Sequence, residues 1–97
     1  MKIQVTFDSG QGPQTIELRN RQGWTLYHLA KAGWHGITTI ERPALRLSAY
    51  VHRLRERGFA IETEMEAHGG SYKGLHARYR LLTDVSVQLQ GDVEGQA

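Results

Sequence analysis

The first chemical signal is a set of residues at helical spacing. Arg46, Ala49 and Arg53 stand at i, i+3 and i+7, so a helix would align them on one face. A guanidinium group makes a bidentate contact to guanine or pairs with a phosphate. Ala49 between two arginines lets such a helix approach closely. Ser48 and His52 flank the stripe and add groups that bond to bases or phosphates. The plain alternative is a solvated face on which Glu56 neutralises Arg53 at i+3. A second signal follows at 69–74. Gly69, Gly70 and Gly74 expose backbone N–H groups, and Ser71, Tyr72 and Lys73 add hydroxyls and a charge. That combination suits a sugar–phosphate backbone, which is held mostly by position and charge. The plain alternative is a loose turn. The spacing is not that of a Walker loop.

Groups for catalysis are sparse. The chain has no cysteine, which excludes a disulfide scaffold, a thiol nucleophile and a thiolate zinc site, and fits a reducing cytoplasm. The five histidines, at 28, 35, 52, 68 and 76, form no His-Glu-x-x-His pattern. His68 and His76 flank the Gly-rich loop with only Glu66 as a further ligand. The glutamates alternate along an exposed strand face, so they suggest no buried acid–base pair. The expectation is a non-enzymatic protein with no cofactor, metal or small-molecule substrate.

At 97 residues, 39% hydrophobic and 23% charged, the sequence reads as a single folded domain over 1–97. The longest apolar runs are three residues, such as Ala49-Tyr50-Val51, where a membrane span needs about 18. No secretory pattern opens the chain. A cytoplasmic protein is expected. The net charge of +2 is unevenly spread: residues 1–41 carry +1, 42–80 carry +4 and 81–97 carry −3. The basic excess thus coincides with both chemical signals.

The elements that must position these groups follow from periodicity. Ile3, Val5 and Phe7 alternate with polar residues, as do Ile16 and Leu18, so 2–19 reads as a hairpin around Ser9-Gly10-Gln11-Gly12-Pro13. Three helices are expected within 24–58. The first runs from Trp24 to Ala32, with Thr25 as a candidate cap and Gly33 as its stop. The second starts at Thr38 or Thr39, with Glu41 at capping-box spacing from Thr38. Pro43 either ends it or opens the next helix. The third, over 44–57, buries Ala44, Leu47, Tyr50, Val51 and Leu54, and ends at Gly58 after a basic turn. Trp24, Tyr27 and Trp34 are expected in the core or at its edge.

A second hairpin spans 59–82. Folding it about Ser71 pairs Glu62 with Arg80, Glu64 with Arg78 and Glu66 with His76, while Ile61 meets Leu81 and Thr63 meets Tyr79. Opposed charges relieve the glutamate repulsion by about 0.2–1 kcal/mol per pair. Arg78 and Arg80 are therefore expected to be structural. Val85, Val87 and Leu89 alternate as one more strand within 84–90, with the N-terminal hairpin as its candidate neighbour. Residues 91–97 read as a flexible acidic tail.

Helix, short helix, longer helix and Gly-tipped hairpin is the order of a winged helix-turn-helix. The run from Gly36 to Glu64 resembles small winged-helix proteins of bacteriophages and prophages. The resemblance rests on Leu54-Arg55-Glu56-Arg57-Gly58-Phe59, on Ile61-Glu62-Thr63, and on Ala77-Arg78-Tyr79, and covers roughly 24–82. It implies an α+β winged helix-turn-helix with three helices and a β-hairpin wing, here with an added N-terminal hairpin and a C-terminal strand. It also implies double-stranded DNA as partner and a role as a phage-type transcription regulator. Arg46, Ser48, Ala49, His52 and Arg53 on the third helix, with Ser71, Tyr72 and Lys73 at the wing tip, are the expected DNA contacts. The rival reading is a protein-interaction module on the same scaffold. Its terminal strands would offer edges for a homodimer.

Overall fold

The computed structural model describes residues 1–41, 46–69 and 74–90. Strands β1 (Lys2–Asp8) and β2 (Pro13–Arg19) form the N-terminal hairpin. The Asp8 carboxylate closes its loop by accepting from the Gly10 and Gly12 N–H groups, at 2.7 and 3.2 Å. β6 (Ser86–Gln90) pairs antiparallel with the other edge of β1, giving a first sheet in the order β2-β1-β6.

Helix α1 spans Asn20–Ala32, starting four residues before the expected Trp24. The start is hidden in the sequence because Arg19 holds the N-cap with extended backbone and no side-chain cap. Thr25 is not a cap. It is fully buried, and its hydroxyl donates to the Arg21 carbonyl one turn back, at 2.7 Å. Gly33 ends the helix as expected, and a 3-10 turn covers Gly33–His35.

The expected second helix is corrected. Ile37–Thr38 form a short strand, β3, paired with Tyr79 and Arg78 of the wing, and 39–41 is a turn. Ladder pairing of two β-branched residues wins over the helix-start signal here. The capping-box bonds still form: Thr38 N–H donates to Glu41 Oε1 at 3.2 Å, and Glu41 N–H to Thr38 Oγ1 at 3.0 Å. Among the described residues there are thus two α-helices and not three. Pro43 lies outside the described residues.

Helix α2 spans Leu47–Glu56, with Leu47, Val51 and Leu54 buried and Tyr50 half-buried. Gly58, at φ +106, ends it. The wing strands are β4 (Ile61–His68) and β5 (Gly74–Leu81), and the second sheet runs β3-β5-β4. The expected register holds at Glu62–Arg80, Glu64–Arg78, Glu66–His76, Ile61–Leu81 and Thr63–Tyr79.

One core joins the two sheets and two helices. β1 contributes Ile3, Val5 and Phe7, α1 contributes Leu26 and Leu29, and α2 contributes Leu47, Val51 and Leu54. The Phe7 and Phe59 rings stack with centroids 4.2 Å apart, tying the first sheet to the base of the wing. Each fully buried leucine contributes about 1.5–3 kcal/mol. Trp34 departs from expectation: it is 72% exposed, under the Arg80 guanidinium 5.1 Å from its ring centroid.

Candidate nucleic-acid interface

The outer surface of α2 carries Ser48, His52 and Arg53, all exposed, with Ala49 half-buried beside them. Packing Leu47, Val51 and Leu54 inward leaves this face to solvent. Arg46 is not on the helix but at its N-cap, with φ −89 and ψ 66, because α2 begins at Leu47. It still joins Ala49 and Arg53 on one wall of a cleft. The alternative pairing of Arg53 with Glu56 is not among the ion pairs of the described residues. Glu56 instead meets His52 at 3.3 Å, one turn away on the same helix. Arg46 and Arg53 make no ion pair with any described residue.

The wing's arginines are engaged, as the register implied, but diagonally. Arg78 Nε donates to Glu66 at 2.6 Å, and Arg80 Nη1 to Glu64 at 2.5 Å, with Glu62 at 3.5 Å. The side chains lean along the strands by two residues from their Cα partners. Arg78 also donates to the His35 carbonyl and Arg80 to the Trp34 carbonyl, both at 2.8 Å. These bonds fasten the wing to the 3-10 turn after α1. Ser71, Tyr72 and Lys73 lie outside the described residues.

The Arg78 hydrogen bond holds the Glu66 carboxyl below its ordinary value, against the opposing effect of burial, and His76 adds in the same direction. A depressed carboxylate stabilises the fold above the ordinary carboxylate range, and that stability is lost as pH falls through the depressed value. Acid titration of the urea midpoint is therefore expected to fall below about pH 4.5, and Glu66→Gln to flatten part of that fall. An unchanged acid limb in the variant would contradict the pairing.

Arg55 has a role that its helix-end position did not reveal. Its Nε and Nη2 donate to the Ile61 carbonyl at 3.1 and 2.5 Å, and Nη2 to Thr63 Oγ1 at 2.8 Å. One guanidinium thus spans the corner between α2 and β4 and fixes the wing relative to the helix. Arg55→Lys keeps the charge but loses the planar fork. It is expected to destabilise by about 1 kcal/mol and to increase amide exchange along β4. Wild-type exchange in β4 would contradict a positioning role.

The far wall of the cleft comes from outside the expected set. Arg19, Asn20, Arg21 and Gln22, at the junction of β2 and α1, face Arg46, Ala49, Tyr50 and Arg53 across about 340 Å³. Arg19 is paired with Glu17, whereas Arg21 is exposed and forms no ion pair with a described residue. The available signal was the polar run Arg19-Asn20-Arg21-Gln22 lying directly between a strand and an apolar helix pattern.

A family model described as winged helix domain matches residues 15–91, which takes in β2 from Thr15 onward, both helices, the wing strands and β6. No curated protein and no solved structure matches the chain.

Proposed function

The chain belongs to the winged helix domain family, and on that premise we propose that it binds double-stranded DNA through α2 and the wing, as a non-enzymatic regulator of phage or prophage type. The observation that carries this reading is the pair of arginines Arg46 and Arg53, without an ion pair to a described residue, flanking Ala49 at the exposed start and face of α2. In this reading α2 enters a major groove, Arg46 and Arg53 meet phosphate or guanine, and Ser48 and His52 add further contacts. In the same reading Ser71, Tyr72 and Lys73, which follow β4 in the sequence, add contacts to the DNA backbone. The phage-type assignment rests on the resemblance of the helix-to-wing stretch, Leu54 to Phe59, together with the Ala77-Arg78-Tyr79 strand.

A second reading, a protein-interaction module, draws on the two edges of the first sheet. Among the described residues β2 and β6 each pair on one side only, and an edge strand is a ready template for another chain. The same edges offer a route to a homodimer, which would double the basic contacts to DNA. Mapping amide shifts on adding a mixed-sequence duplex separates the readings. DNA binding predicts shifts at Ser48, Ala49, His52 and Arg53 and around the wing tip. An absence of shifts there at low salt would contradict it.

A further inference from the structure

The wall of the cleft that faces α2 gives the molecule a feature beyond its recognition helix. It is built where β2 runs into α1 without a connecting loop. Asn20 makes that junction. It is the only described non-glycine residue with positive φ, at +58, and its N–H donates to the Met1 carbonyl at 2.7 Å. Asparagine tolerates this left-handed conformation better than most side chains. The turn brings Arg21 and Gln22 to the cleft from one side, while Arg46 and Arg53 line it from the other.

The charge of the cleft is mostly basic: Arg19 in its lining is paired with Glu17, and three further arginines line it. Among the described residues no acidic side chain lines it, and none stands in the first turn of α1. Arg21, Arg46 and Arg53 have no described carboxylate partner, so three guanidinium groups share one concavity. Unpaired like charges on concave walls concentrate positive potential and favour an anion. Gln22 and Tyr50 add neutral donors, and Ala49 keeps the α2 wall low. A phosphate group suits this set, because guanidinium forks match its oxygens.

We infer that this cleft is a phosphate seat shared by the β2–α1 junction and the start of α2, and that a duplex backbone supplies the phosphate. The inference deepens the DNA-binding reading and rests on it for the source of the phosphate. Arg21 and Gln22 then extend the contact surface from α2 to the start of α1. Asn20 is the positioning residue that sets the distance between the two walls.

The experiment measures duplex affinity across a salt series for the wild type, Arg21→Gln and Lys31→Gln. Lys31 is exposed at the opposite end of α1 and serves as the control for loss of one charge. Arg21→Gln is expected to weaken binding by roughly 5- to 20-fold and to reduce the salt slope by about one. Lys31→Gln is expected to change affinity by less than about twofold. Thermal melting of Arg21→Gln should match the wild type, since the side chain is exposed and forms no ion pair with a described residue. Wild-type affinity and slope in Arg21→Gln, with binding still weakened by Arg46→Ala and Arg53→Ala, would overturn the seat and leave DNA binding by α2 standing. If the wild type binds no duplex, titration with inorganic phosphate identifies the source. Saturable shifts of the Arg21, Gln22 and Ala49 amides that vanish in Arg21→Gln would support the seat and overturn the duplex as its source. Absence of both responses would overturn the inference entirely.

Discussion

Gly36→Ala is expected to destabilise the protein by about 2–4 kcal/mol, with a fall in melting temperature of roughly 10–25 °C. Two costs add at this residue. Its backbone sits at φ +71, where a side chain is strained, and an added Cβ would stand 2.4 Å from the Tyr79 carbonyl oxygen and 3.0 Å from Arg80 Cγ. The first obstacle is backbone in the middle strand of the wing sheet, so no rotamer change relieves it. β3 would have to move away from β5, loosening the Ile37–Tyr79 and Thr38–Arg78 pairs that attach the wing to the body. Gly69→Ala is the control. No atom of a described residue lies within 4 Å of a Cβ at that position, and its melting temperature should stay close to that of the wild type. A melting temperature of Gly36→Ala within about 2 °C of the wild type would show that β3 is not held against β5 as described.

The second large effect concerns affinity. Replacing Arg46 and Arg53 together by alanine is expected to weaken duplex binding by about 2–4 kcal/mol, on the order of 30- to 700-fold. Each side chain is exposed and forms no ion pair with a described residue, so stability should hardly change. The two flank one cleft, and coupling between them would make the pair depart from the sum of the single variants. Unchanged duplex binding with an unchanged melt would favour the protein-interaction reading.

The wing shows why parts of this fold were legible in the sequence. Glu62, Glu64 and Glu66 on one strand and His76, Arg78 and Arg80 on the other fix a register only if opposite charges meet. The apolar partners on the other face agree with that register. Period-two patterns on both strands make a one-residue slip costly on both faces at once. Gly33 and Gly58 marked helix ends for a local reason, the backbone conformation a helix stop requires.

Other elements carried no local signal. β3 has two residues, too few for a period, and its pairing partner lies about forty positions further on. The start of α1 lacks a capping side chain, so its pattern begins only at Trp24, and nothing local links Arg19, Asn20 and Arg21 to the α2 face. Their approach to Arg46 and Arg53 is purely tertiary. Arg55 looks in the sequence like any basic residue of a last helical turn, because its bonds to Ile61 and Thr63 depend on the corner angle between α2 and β4. The α2 face itself was visible from spacing, apart from Arg46, which reaches the cleft from the N-cap.

The most direct test of the account is a titration of the wild-type protein with mixed-sequence duplex DNA across a range of salt concentrations. Phosphate contacts through Arg21, Arg46 and Arg53 predict that log K falls linearly with log salt. The slope should be about −3 or steeper, near 0.9 per neutralised phosphate. No binding at low salt, or binding indifferent to salt, would contradict DNA recognition by this face.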